Sequence, residues 1–226
     1  MTRDGKFLIM PNGIIEIEKL EAAAKSLTHS QSSKESSNQE IPKSEKPKVE
    51  LFVMTYCPFG MQSEKGIIPI FELFEEKIDS KIRFVHYFMH GKNEEEETYR
   101  QVCIREEQQS KYIDYLKCFL DAGESEKCIE KVNINKVKLD SCIKGRAQQY
   151  YSEDAELSKK YGVRGSPTLV INGVIVQSGR SQAAYLLTIC STFVSPPEEC
   201  EESVSNITPS PGFGYRTASS SSGSCG

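Results

Sequence analysis

Cys57 is the residue best placed for covalent chemistry. It stands in Tyr56-Cys57-Pro58-Phe59-Gly60, between an apolar run and a helical one. A free thiol has a pKa near ~8.5, and a helix N-terminus lowers it to about 3.5–7.5. The unpaired first-turn N–H groups and the macrodipole stabilise the thiolate there. The blander reading is a small buried cysteine filling core space, which suits a position between a strand end and a proline poorly. The chain has eight cysteines, the others being Cys103, Cys118, Cys128, Cys142, Cys190, Cys200 and Cys225. An even number without a Cys-x-x-Cys pair points to disulfides and an oxidising compartment. Zinc is the rival, but Cys118, Cys128 and Cys142 lie too far apart for the usual knuckles. His29 falls in a polar stretch, and His86 and His90 in or just after an apolar run, so no metal and no other cofactor is expected.

Composition narrows the class. A net charge of −4 without basic runs argues against nucleic acid. No apolar stretch approaches the ~18 residues of a membrane helix, and the richest, Gly66–Phe74, is broken by Pro69 and Glu72. Residues 21–47 and 201–226 are polar or rich in Ser, Pro and Gly. They are expected to be a flexible linker and a disordered tail that can be trimmed without changing melting. The compact domain is therefore assigned to residues 48–200, about 150 residues, enough for one core. Residues 1–20 carry a strand, Lys6–Met10, a turn at Pro11-Asn12-Gly13, and a strand, Ile14–Ile17. A lone hairpin is marginal in water, so this one is expected to be the remnant of a preceding small domain. Met1-Thr-Arg-Asp-Gly5 lacks the apolar core of a secretory signal. The cysteines nevertheless favour an extracytoplasmic location, cell envelope or secreted, with the export segment absent from this sequence. The alternative is a cytoplasm in which the cysteines are reduced. Asn206-Ile207-Thr208 is a glycosylation sequon, weakened by the Pro209 that follows.

The elements that must position Cys57 are legible in order. Lys48–Thr55 is a near-continuous apolar run, the pattern of a strand buried on both faces. A helix is expected from Pro58 to about Ile78. Ile67, Ile68, Phe71, Leu73 and Phe74 form its apolar stripe, and Pro58 sits where a missing N–H costs nothing. Ile82–Met89 reads as a second strand, giving a βαβ unit with parallel strands. From about 93 to 161 the chain is charged with helical spacing, predicting four or five short helices. Thr168–Ile171 and Val174–Gln177 flank Asn172-Gly173, a strong hairpin signal, and Ser181–Phe193 closes as a helix. The order βαβ, helical insertion, ββα predicts an α/β, thioredoxin-like fold.

Tyr56-Cys57-Pro58-Phe59-Gly60, the helical insertion, Gly165-Ser166-Pro167-Thr168 and Ile171-Asn172-Gly173 resemble the DsbA-like thioredoxin-fold thiol–disulfide oxidoreductases. A secondary likeness is to the gamma-interferon-inducible lysosomal thiol reductase family. There a His-Gly step precedes the insert cysteines, as His90-Gly91 does here, and a helix cysteine and a second one after a Pro-containing loop close the domain, like Cys190 and Cys200. The resemblance covers residues 48–200, and residues 4–18 also resemble the end of a small domain that often precedes this one. It implies that Cys57 is the nucleophile and that Pro167 is cis and packs opposite it. It further implies that Tyr56, Phe59 and Gly60 neighbour the site, and that the backbone beside Ser166 is open to a substrate strand. The family motif is Cys-x-x-Cys, and Gly60 stands where its second cysteine belongs, so a dithiol cycle within the motif is excluded. Some relatives keep a carboxylate six residues before the nucleophile. Glu50 is seven before Cys57, and on a strand that shift reverses the face, so Glu50 is read as solvated or structural.

The expected activity is thiol–disulfide exchange or isomerisation on cysteine-containing protein clients through a mixed disulfide at Cys57, with an unidentified redox partner. A monothiol suits isomerisation, since attack and release need no second motif cysteine. The alternative is a redox-inactive binding or chaperone module on the same fold. Cys190 and Cys200 flank the end of the last helix and are expected to be bridged. Four insert cysteines allow three connectivities and sequence alone does not choose. Nesting favours Cys118–Cys128 inside Cys103–Cys142. Cys225 is then left over with Cys57. A flexible tail of about 25 residues has an r.m.s. span of roughly 25–30 Å, against a core radius of gyration of about 15 Å. Cys225 is thus a candidate resolving thiol, with an anchoring or intermolecular role, or none, as the alternatives.

Overall fold

A computed structural model describes residues 7–10, 13–16, 40–215 and 223–226. The chain divides into two units, Met1–Glu40 and Ile41–Gly226. The first holds an antiparallel pair, β1 (Phe7–Met10) and β2 (Gly13–Glu16), with Met10 opposite Gly13. The expected turn residues Pro11 and Asn12, and residues 17–39 of the expected linker, lie outside the described residues.

The second unit is built on a four-stranded sheet of order β4-β3-β5-β6. The strands are β3 (Lys48–Val53), β4 (Asp79–Phe84), β5 (Thr168–Ile171) and β6 (Val174–Val176). β3 runs parallel to β4 and antiparallel to β5, and β5 and β6 form the hairpin. Its turn uses Asn172 at φ 49° and Gly173 at φ 83°, the left-handed pair that an Asn-Gly hairpin favours. Central β3 is apolar because it is covered twice. Val49, Leu51 and Val53 face the larger core with α1 (Pro58–Phe74) and α7 (Gln182–Cys190). Phe52 joins Met54, Cys57, Val85, Val163 and Val170 on the other face. Between β4 and β5 lie α2 (Lys92–Glu107), α3 (Tyr112–Ala122), α4 (Ser125–Lys131), α5 (Lys136–Gly145) and α6 (Ala147–Tyr161). This is a thioredoxin-like α/β fold with a helical insertion. Disulfides join Cys103 to Cys142 across α2 and α5, Cys118 to Cys128 across α3 and α4, and Cys190 to Cys200 beyond α7.

Four expectations are corrected. The second strand lies at 79–84, earlier than Ile82–Met89. Pairing with β3 runs from Lys48↔Asp79 to Val53↔Phe84, and β3 must stop at Val53 for the chain to turn into α1. Val85 is therefore buried beyond the strand, while Phe88 stacks on Tyr151. Helix α1 ends at Phe74, followed by a 3-10 turn at Glu75–Lys77. Residues 41–47 of the expected linker are docked. Ser44 exchanges backbone hydrogen bonds with Thr192 and Val194, at 2.9 and 3.1 Å. The expected disordered tail is likewise docked over residues 201–215. The Lys65 ammonium donates to the carbonyls of Ser210, Gly212 and Gly214 at 2.6–2.8 Å. Gly212 N–H donates to the Pro58 carbonyl at 2.9 Å. The Phe213 ring meets Tyr56 and Phe119 edge to face, over Gly123, where a Cβ would strike it. Carbonyls gathered on one ammonium and a single aromatic plug leave no apolar periodicity, so composition conceals this docking.

Candidate active site

Cys57 is the N-cap of α1, and its Sγ accepts the Gly60 N–H at 3.3 Å. Pro58 opens the helix, and no acidic side chain lies in the first turn. The local sequence builds this directly. β3 ends, Cys57 N–H closes a turn onto the Met54 carbonyl at 3.0 Å, and Met61 N–H begins the helical ladder from the Cys57 carbonyl at 2.9 Å. Sγ thus sits where first-turn N–H groups converge, the environment that stabilises a thiolate.

The loop before β5 supplies the opposite wall. The Ser166–Pro167 peptide is cis, and the Ser166 carbonyl oxygen lies 3.4 Å from Cys57 Sγ. The Ser166 hydroxyl is buried and accepts the Met54 N–H at 2.9 Å. It also occupies the space beside Gly60, where an added Cβ would lie 2.6 Å from Ser166 Oγ and 3.2 Å from the Met54 carbonyl. Tyr56 turns towards Phe119 and Phe213. Phe59 carries the Arg180 guanidinium 5.4 Å from its ring centre.

Cys225 is bonded to Cys57. Its backbone pairs antiparallel with Ser166: Ser166 N–H donates to the Cys225 carbonyl at 2.7 Å, and Cys225 N–H donates to the Ser166 carbonyl at 2.8 Å. Cys57 is fully buried beneath it. A cleft of ≈ 930 Å³ continues alongside, lined among others by Gly165, Pro167, Ile175, Arg180, Ser224 and Gly226.

Glu50 is buried, so the solvated half of its expected reading is corrected. It binds Lys48, Arg83 and the Tyr161 hydroxyl. Burial opposes its ionisation, but Arg83 and Lys48 hold its carboxyl below the ordinary range. Arg83 continues to Asp154, which also binds Arg105, a structural network between β4 and the helical insertion. On α1, burial and the neighbouring Glu97 push the Glu64 carboxyl up to about 8. At neutral pH the helix therefore carries no full negative charge at that position. Sequence reasoning passed over Arg180 and Lys65, which hold the two parts of the C-terminal segment. Lys65 is buried like the rest of Gly60–Ile68, but its neighbours Gln62, Ser63 and Glu64 are polar too, so the sequence offered no signal that set it apart.

No family model matches the chain, and no curated protein matches it in sequence. Solved structures do match. BdbD from Bacillus subtilis in its oxidised form superposes with a TM-score of 0.54 at 15% identity, covering 73% of this chain and 94% of that one. Reduced DsbA from Mycobacterium tuberculosis gives 0.53 at 14% identity, over 71% and 94% of the two chains. MdbA, a thiol-disulfide oxidoreductase from Actinomyces oris, gives 0.51 at 14% identity, over 68% and 83%. The likeness is one of fold: the chain has the DsbA-like form of the thioredoxin fold.

Proposed function

We propose that this chain, on its DsbA-like scaffold, is a thiol–disulfide oxidoreductase or isomerase whose nucleophile is Cys57 in the Cys-Pro-Phe-Gly motif. The observation that carries the reading is the Cys57 sulfur at the N-cap of α1, accepting the Gly60 N–H and facing the Ser166 carbonyl. Helix N-terminal N–H groups favour the thiolate over the thiol, and the adjacent backbone edge at Ser166 suits an extended polypeptide. The clients are cysteine-containing proteins, met in an extracytoplasmic compartment where the three bridges outside the site persist. Among the described residues no helix is long and apolar enough to cross a membrane.

The test is a pH titration of thiolate absorbance in the reduced protein, with Cys57→Ser as the blank. A Cys57 pKa within about 3.5–7.5 is expected. A thiol that titrates near the free value of ~8.5, together with no adduct to a disulfide peptide, overturns the reading in favour of a redox-inactive binding module.

A further inference from the structure

Resting on that reading, we propose that Cys225 is the second redox cysteine of the site. Residues Gly223–Gly226 occupy the client's strand position so that Cys225 resolves the mixed disulfide on Cys57.

Four observations converge on this. First, the motif itself has no room for a resolving sulfur, because the Ser166 hydroxyl fills the space beside Gly60. Second, Cys225 is bonded to Cys57 while its N–H and carbonyl both pair with Ser166, so the segment is held as an extended strand and not by sulfur alone. Third, the segment and its slot fit each other at glycines. A Cβ on Gly165 would lie 2.5 Å from the Cys225 carbonyl oxygen, one on Gly223 would enter the Phe59 ring, and one on Gly226 would meet the Arg164 carbonyl. Arg180, set against Phe59 and Gln62, donates to the Gly223 carbonyl. Fourth, the chain is moored close by. Tyr215 donates to the Lys117 carbonyl at 3.2 Å, and Lys65 grips residues 210–214. Only about ten residues separate Tyr215 from Cys225, a reach of at most about 33–36 Å. So short a tether holds Cys225 at an effective concentration near the millimolar range.

The chemistry balances in two exchanges. The Cys57 thiolate attacks a client disulfide. The Cys57–client S–S bond forms, the client's own S–S bond breaks, and one client sulfur leaves as a thiolate that takes a proton from water. The Cys225 thiolate then attacks Cys57 Sγ. The Cys57–Cys225 bond forms, and the second client sulfur leaves as a thiolate and is protonated. The client has gained two electrons and the Cys57/Cys225 pair has lost them. A dithiol donor returns the pair to its reduced form, and the reverse sequence oxidises a client dithiol. Client and tail use the same Ser166 edge, so the tail enters as the client leaves.

The experiment uses the full chain, reduced at Cys57 and Cys225, mixed with one equivalent of a peptide whose single cysteine is joined to glutathione. Samples are quenched by alkylation and mapped without reduction. The parent is expected to accumulate Cys57–Cys225 with only a short-lived adduct. In Cys225→Ser the Cys57 adduct forms at the parental rate and its release slows at least about tenfold. Arg180→Ala is expected to slow release of the adduct, with Arg180→Lys restoring part of the rate. An adduct that persists equally in parent and Cys225→Ser overturns the resolving role and leaves Cys57 as nucleophile. No adduct in either chain overturns the Cys57 reading, and the resolving role with it.

Discussion

At the scale of single residues, the pair Gly60 and Ser166 defines how this site departs from a Cys-x-x-Cys arrangement. The Ser166 hydroxyl is fixed by the Met54 N–H and lies where any Cβ at position 60 would go. Gly60→Ala should therefore destabilise the chain by about 1–3 kcal/mol from overpacking, although alanine ordinarily gains about 1 kcal/mol over glycine inside a helix. In a Ser166→Ala background the same substitution should cost less, with a coupling of about 1 kcal/mol in a denaturant double-mutant cycle. Additive effects would show that the two side chains do not compete for this space. Glu64 sets a pH dependence. Its buried carboxyl keeps its proton up to about 8, whereas the unfolded chain loses it near the ordinary value of 4.5. The folded state thus binds the extra proton between those values, and stability from this group is full below 4.5 and declines as pH rises to about 8. Glu64→Gln should flatten the fall of melting temperature over that range. Parallel curves for variant and parent would remove Glu64 as its source.

At the scale of elements, α1 is held from three sides. β3 delivers Cys57 to its N-terminus, α7 packs along it, and residues 209–215 cross its first turns through Gln62, Lys65 and Pro58. The last contact makes the C-terminal segment a structural part of the site. Deleting residues 209–226 should cost about 2 kcal/mol or more, since hydrogen bonds to a charged donor contribute about 1.5–3 kcal/mol each and Lys65 loses three of them. Calorimetry should show a melting temperature several degrees lower. An unchanged value would mean that the segment adds nothing to the fold. The insertion is organised differently. Its helices are joined by Cys103–Cys142 and Cys118–Cys128 and by the buried Arg105–Asp154 pair, and Arg83–Asp154 ties it to β4.

At the scale of the whole molecule, both ends of the second unit are held by isolated backbone bridges, Ser44 to Phe193 and Cys225 to Ser166. Residues 41–47 pair beside α7 through Ser44, while residues 209–215 cross α1 and Cys225 lies against the loop before β5. The backbone edge at Ser166 is thereby covered by the chain's own terminus, and Cys57 is fully buried in this oxidised form. On the proposed reading a client competes with the tail for the Ser166 edge, and the redox state of Cys57–Cys225 decides whether that edge is covalently closed.

The sequence by itself determined the scaffold and the placement of Cys57 at the start of a helix. Each of those signals is local. A doubly buried strand must be apolar at most of its residues, as Val49 and Leu51–Val53 are. A helix that begins at a proline exposes first-turn N–H groups to the residue before it, here Cys57. An Asn-Gly pair turns one strand onto the next, as at 172–173. What only the tertiary structure decided depends on segments far apart in the chain. The start of β4 at Asp79 follows from register with β3, because its polar half carries no apolar signal of its own. The docking of 201–215 rests on backbone carbonyls converging on Lys65, and carbonyls are the same in every residue, so no choice of side chains announces them. The bond between Cys57 and Cys225 joins residues 168 apart. It required the fold to bring the terminus against Ser166, because cysteine spacing identifies which thiols are left over but not whether they meet.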